Sequence, residues 1–191
     1  LWGTAFGSFV LGLVILMGMF GSSQNNSCPS FDTGDDFNVV NSTDQKAVAT
    51  SIHNSLKKVS GTTEAGIAGF LGNVQVESGF KADIVQGNAK FDESKAMNAS
   101  ISGYAIGLNQ MDNSRRVALL NYASSEKKKW TDASVQLDLV LNHDGTNSDI
   151  LKKGLAMKDV SQATEYLRSQ WERGGSGTTD KRTGFAKQWY A

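Results

Sequence analysis

The residue in this chain best suited to acid chemistry is Glu77, in the stretch Gly69-Phe70-Leu71-Gly72-Asn73-Val74-Gln75-Val76-Glu77-Ser78-Gly79-Phe80. It follows Phe70 by seven residues and Val74 by three, so on a helix it shares their apolar face. A carboxyl on such a face is stripped of water, and in the last helical turn it also meets the negative end of the backbone dipole. Both effects favour the protonated form. A carboxyl that keeps its proton near neutral pH is what breaking a glycosidic bond requires, because the leaving oxygen must be protonated as it departs. From this segment alone, an ordinary solvated helix-end glutamate is the competing reading.

A second stretch narrows the choice. Gly103-Tyr104-Ala105-Ile106-Gly107-Leu108-Asn109-Gln110 runs into Met111-Asp112-Asn113-Ser114-Arg115-Arg116-Val117-Ala118-Leu119-Leu120-Asn121-Tyr122-Ala123. Glu-Ser at a helix end, a variable loop, then Gly-Tyr-x-x-Gly-Leu-x-Gln before another helix resembles lysozyme-like transglycosylases and goose-type lysozymes. The added Arg-Arg-x-x-Leu-Leu-x-Tyr-Ala is similar to the phage-tail lysozyme family. That branch includes lysozyme-like modules of Gram-positive conjugation proteins, which follow a membrane segment and precede a cysteine-peptidase domain.

The resemblance spans about Ser42 to Tyr190, and Trp171-Glu172 and Lys181-Arg182 through Trp189-Tyr190 look like the family's closing helix. It implies an all-α lysozyme-like domain that cleaves the β-1,4 bond between N-acetylmuramic acid and N-acetylglucosamine in peptidoglycan. Carried over by position, Glu77 is the general acid, Ser78 steadies the neighbouring backbone or substrate, and Tyr104, Asn109 and Gln110 line the glycan cleft. Relatives often carry Gln-Trp where this chain has Gln110-Met111, which questions an aromatic sugar platform there.

For a second carboxylate the sequence offers Asp83, Asp92, Glu93 and Asp112, all in or near the loops expected to flank the cleft, with Asp92 the named candidate. An inverting hydrolase needs such a base to activate water, whereas a lytic transglycosylase reuses one glutamate to take a proton from the substrate's own hydroxyl. Both remain open, with the hydrolase preferred. One cysteine, Cys28, and two distant histidines, His53 and His143, build neither a disulfide framework nor a closed zinc site, so no metal or cofactor is expected.

Lys plus Arg and Asp plus Glu both number 19, which argues against nucleic acid as a partner. The Lys127-Lys128-Lys129 run reads as a solvated loop, or as a weak attractant for anionic wall polymers. Gly174-Gly175-Ser176-Gly177 lacks the Lys-Ser/Thr ending of a phosphate loop and reads as a flexible turn.

The elements that must position these residues are helical. Leu1 to Phe31 holds no charged residue and Leu1 to Phe20 is almost wholly apolar, about the 20 residues that cross a bilayer. Residues 1–21 are therefore expected to form a transmembrane or signal-anchor helix, and 22–41, with the single proline Pro29, a flexible stalk. Residues 42–191 form the domain, held outside the cell against the wall. Ser42 with Gln45 suggests a capping box ahead of Val48, Ile52, Leu56 and Val59. A second helix starts near Thr62 or Thr63 and presents Ile67, Phe70, Leu71 and Val74. Others open near Asp112, through Val117, Leu120 and Tyr122, and after Thr131 with a Trp130/Val135 staple. Helical patterns also cover Ile150 to Met157, Ser161 to Trp171 and Thr179 to Tyr190. No sustained strand alternation appears.

The expected partners are thus glycan strands, the cell membrane and the proteins of a conjugation or secretion channel. The chief rival is a lysozyme-like scaffold that binds the wall without turnover. A cysteine peptidase built on Cys28 is a weaker rival, since that thiol lies in the stalk.

Overall fold

The computed structural model describes residues 37–191. The expected membrane helix, Cys28 and most of the stalk lie outside the described residues. Among the described residues no helix is long and apolar enough to cross a membrane, and no group of acidic, His or Cys side chains is arranged to hold a metal ion.

Among the described residues eight α-helices carry the fold: α1 (Gln45–Leu56), α2 (Glu64–Glu77), α3 (Glu93–Ala96), α4 (Asn113–Ser125), α5 (Ala133–Asp138), α6 (Thr146–Leu155), α7 (Val160–Tyr166) and α8 (Thr179–Tyr190). Helix α2 is the axle, packed by α1, α6, α7 and α8. Its residues from Ala65 to Val74 are all buried, so it is covered around its whole circumference rather than along one stripe, with Asn73 the one polar side chain in that run. Thr63 caps it, its hydroxyl accepting the Gly66 N–H at 2.9 Å.

Three glycines spaced three residues apart let the neighbours come that close. A Cβ on Gly66 would lie 2.0 Å from the Leu155 carbonyl oxygen, one on Gly69 2.9 Å from the Thr164 nitrogen, and one on Gly72 2.6 Å from the Arg182 carbonyl oxygen. In each case the obstacle is backbone, which cannot swing aside. Gly72→Ala is therefore expected to push α8 off α2 and cost about 1–3 kcal/mol, the usual range for overpacking. Urea unfolding measures it, and an unchanged midpoint would mean that α8 has slack to retreat.

Several boundaries differ from the sequence reading. Asp44, not Ser42, caps α1, its carboxylate accepting the Lys46 N–H at 2.9 Å, while the Ser42 hydroxyl accepts the Asp44 N–H. Likewise Asp132, not Thr131, caps α5. In both places an aspartate one or two residues later reaches the free N–H groups with a charged acceptor. On α4 the fully buried positions are Arg116, Leu119 and Ala123, while Val117, Leu120 and Tyr122 are half-buried, because an arginine takes a core position that apolar spacing does not reveal. Residues 37–41, assigned from sequence to the stalk, are docked. Val39 is buried and exchanges hydrogen bonds with the Ser134 hydroxyl, and Asn41 accepts the Ala133 N–H at 2.9 Å.

Among the described residues β structure is confined to two isolated bridges, Val85 with Ile106 and Ile106 with Met111. The chain after Asp138 and again after Tyr166 widens into π-helical turns, Leu139–His143 and Leu167–Trp171. The second is held by Trp171, fully buried with its ring 5.5 Å from that of Phe70. The glycine run after Arg173 is partly ordered as a short 3-10 turn at Ser176–Thr178 leading into α8.

Candidate active site

Glu77 is the last residue of α2, as its spacing predicts. Its side chain is one-fifth exposed, but the group that meets it is a cation rather than an apolar wall. Arg182, from the first turn of α8, donates from Nη2 to Glu77 Oε1. That arginine is itself buried and aimed by two further bonds, Nη1 to Asn73 Oδ1 and Nε to Thr178 Oγ1, each 2.9 Å. Asn73, wholly buried one turn before Glu77, also donates to the carbonyls of Gly69 and Thr164. The Gly72 contact, which seats the Arg182 backbone directly on α2, is thus what brings the guanidinium to Glu77.

A second carboxyl that sequence reasoning did not assign joins this site. Glu172 follows the π-helical turn, which turns it toward Asn109, whose Nδ2 donates to its Oε1 at 3.4 Å. Loss of water and the nearby negative charge of Glu77 push the Glu172 carboxyl up from 4.5 to about 8, against the opposing pull of Arg115 and Arg182. Arg115 is held in turn by Asp144, at 2.9 Å from Nε and 2.7 Å from Nη2, and lies over the Trp171 ring with 5.1 Å from Cζ to its centroid. The only sequence signal for Glu172 was its place in a Trp-Glu pair, since helical periodicity breaks at a π turn.

This proton has a consequence for stability. The folded chain holds it more tightly than the unfolded chain, so the stabilisation is full below about pH 4.5 and is lost as pH rises through about 8. Unfolding free energy is expected to fall across pH 5–8 with a slope of at most about 1.4 kcal/mol per pH unit. Glu172→Gln should flatten that slope; equal slopes for both proteins in denaturant titrations would place the proton elsewhere.

The loop from Ser78 to Asp112 reaches the site through Asn109. Ser78 caps α2 and donates to the Val74 carbonyl at 3.2 Å, a backbone role. Tyr104 is nearly buried, its hydroxyl donating to the Lys90 carbonyl and accepting the Asp92 N–H at 2.7 Å, so it pins the loop. Asn109 is buried but engages Glu172, and Gln110, with φ of 43°, donates to the Gly107 carbonyl. Gly107 has both a positive φ of 78° and no room, because a Cβ there would sit 2.5 Å from Gln136 Oε1, the atom that accepts the Leu108 N–H. Met111 is 2 % exposed and faces the core, so this position offers no sugar platform.

Of the expected site residues, the structure therefore gathers Glu77 and Asn109 around Glu172 and Arg182. Asp92 is occupied otherwise. It caps α3, accepting from the Lys95 N–H and the Ser94 hydroxyl, and the Ser94 bond holds its carboxyl below the usual range. Asp112 caps α4 and accepts from the Gly103 N–H and from Arg116. Lys127, Lys128 and Lys129 line a groove of about 890 Å³ with Lys81 and the 40–43 strap, away from the Glu77 cluster.

A central helix ending in a glutamate, opposite a Gly-Tyr-x-x-Gly-Leu-x-Gln loop, is the arrangement implied by the motifs. The sequence profile of the phage tail lysozymes matches residues 47–191, most of the chain. This chain belongs to the phage tail lysozyme family. No curated protein matches it. As a phage tail lysozyme it falls among peptidoglycan-cleaving glycosidases in general. In this phage tail lysozyme, Gly107-Leu108-Asn109-Gln110 is a scaffold that presents Asn109 to Glu172, and Arg115 and Arg116 have separate duties, the first beside Trp171 and Asp144, the second inside the loop.

Proposed function

We propose that this protein cuts the glycan strands of peptidoglycan at the N-acetylmuramic acid to N-acetylglucosamine β-1,4 bond, as a muramidase or a lytic transglycosylase, with Glu77 as the carboxyl on which cleavage depends. The observation that carries this reading is the position of Glu77 at the C-terminal end of α2, one-fifth exposed, with Arg182 and Glu172 about it. Two neighbouring carboxyls, one of them held protonated, suit glycoside cleavage. In this reading the apolar N-terminal segment anchors the enzyme in the cell membrane, with the domain outside and facing the wall, where it opens the mesh for a conjugation or phage-type machine.

The test is mass spectrometry of soluble fragments released from purified peptidoglycan by the full chain in mild detergent. Reducing-end products support a hydrolase, and anhydro-muramyl products a transglycosylase. Walls that a control lysozyme digests but this protein leaves intact would transfer the assignment to a wall-binding scaffold of a secretion channel.

A further inference from the structure

Four cations line one groove without a partner. Lys81, Lys127, Lys128 and Lys129 surround the groove of about 890 Å³ beside the 40–43 strap, and all four are exposed. Among the described residues none of them makes a side-chain hydrogen bond or ion pair, whereas Arg115, Arg116, Arg168 and Arg182 are each bridged to a carboxylate. Asp83 and Asp132 also line the groove, the second holding the Ser134 N–H as the α5 cap. An excess of two positive charges therefore collects there, on a chain with no net charge. Unpaired ammonium groups around a concave surface concentrate anions in it.

The backbone singles out Lys127. It stands two residues past the end of α4 with φ of 54°, and the N–H of Lys128 closes the helix by bonding the Ala123 carbonyl at 2.9 Å. Glycine is the residue at home in that left-handed position, because a Cβ there crowds the backbone. A lysine instead lowers stability and adds a charge to the groove, the pattern of a residue that serves binding rather than the turn.

The neighbouring surface supplies an apolar floor. A second groove, of about 480 Å³, shares Lys128, Lys129 and Thr131 with the first and carries Phe91, Met97 and Trp130. The Phe91 and Trp130 rings are stacked with centroids 4.9 Å apart, both half-buried, and Met97 is 44 % exposed. Ammonium groups beside such a surface suit a chain in which anionic groups alternate with carbon-rich units.

The type of cation selects the anion. No arginine lines either groove, so no planar fork is present to take a carboxylate by two bonds, whereas lysine offers the compact point charge that suits phosphate. The two aspartates among the lysines oppose a dense run of negative charge such as a nucleic acid, and they leave oxygens that accept from the hydroxyls of neutral units. We infer that these grooves bind a phosphodiester-linked polyol chain with one phosphate per repeat, its phosphates on Lys81, Lys127, Lys128 and Lys129 and its polyol units passing Trp130. Neither groove is lined by Glu77, Asn109, Glu172 or Arg182, so the polymer holds the protein without occupying that cluster. The inference goes beyond the glycan-cleaving reading and does not depend on it.

Calorimetric titration of the full chain in mild detergent with poly(glycerol phosphate) tests it. Lys127→Gly, Lys128→Gln and Lys129→Gln combined remove three charges, and glycine relaxes the left-handed turn, so the melting temperature should equal or exceed that of the parent. This variant should bind the polymer at least about tenfold more weakly at low salt, and its binding should depend less on salt. Lys46→Gln, Lys58→Gln and Lys158→Gln combined make the same change of charge on exposed lysines elsewhere, and that protein should stay within about twofold of the parent. Equal weakening of the two triple variants would reduce the effect to net charge and overturn the inference. So would a parent protein that leaves the polymer unbound, or one that binds a single-stranded DNA oligonucleotide or poly-glutamate more tightly. The readout is binding alone. A protein that holds the polymer but cuts no glycan keeps this inference and loses the cleavage reading, and the converse result does the reverse.

Discussion

Glu77→Gln is expected to reduce release of peptidoglycan fragments by about 10²–10⁴-fold while leaving the fold in place. The amide occupies the same volume, and its oxygen still accepts the Arg182 N–H, so the Arg182 cluster with Asn73 and Thr178 keeps its partners. What the amide lacks is any capacity to take up or hand over a proton, and the loss does not depend on which step Glu77 serves. Fragment release over time, with a melting curve for each protein, makes the comparison. A variant that cuts at an undiminished rate would remove Glu77 from the reaction and leave its pairing with Arg182 as a purely structural contact.

Arg116→Met should be the most damaging single change away from that carboxylate. Arg116 is fully buried on α4, yet its guanidinium binds a ring of carbonyls: Ala96 at 2.8 Å, Tyr104 at 3.0 Å, Asn98 at 2.6 Å and Ile101 at 3.0 Å, with Lys95 at 3.4 Å. It also pairs with Asp112 at 2.5 Å. The segment from Lys95 to Tyr104 has few ladder bonds of its own, so these contacts are what closes it. Met keeps much of the volume but leaves the buried carbonyls without a donor and the partly exposed Asp112 without its cation, and each unsatisfied buried polar group costs about 1–3 kcal/mol. Lys should fare little better, since one ammonium cannot span a planar fork of acceptors. Chemical denaturation reads the loss, and protease digestion between residues 90 and 112 reads where it falls. A loss below about 1 kcal/mol, with no new cleavage in that loop, would show that the loop is held by other means.

The two substitutions act at different depths of the same site. Glu77 handles the reaction, whereas Arg116 holds the Asp112 cap and the Tyr104 backbone in place, and through them the loop that presents Asn109 to Glu172. The Arg115-Arg116 pair thus splits its labour because adjacent helical residues point about 100° apart: Arg115 faces Trp171 and Asp144, and Arg116 faces the loop.

Local patterning made much of this legible. The apolar spacing of Ile67, Phe70, Leu71 and Val74 located α2 and its end at Glu77, since a helix with a buried circumference needs an apolar run and a polar stop. The helix starts near Thr63 and Asp112 were legible because a short acceptor side chain before a periodic run has one good use, whereas the caps named at Ser42 and Thr131 gave way to Asp44 and Asp132. The family motifs pointed to Glu77 and to the 103–110 loop. Hidden from that reading was whatever depends on distant pairing. Arg182 lies 105 residues beyond Glu77, and Asn109 63 residues before Glu172, so no spacing rule connects them. Asp92 looked as available as any loop acid until two local bonds claimed it. Sequence alone therefore determined where the helices run and which carboxyl stands at the end of the central one. Tertiary structure decided that carboxyl's surroundings, because a charge's neighbours are chosen by helix packing, here by a glycine that lets α8 touch α2, and not by residues adjacent in the chain.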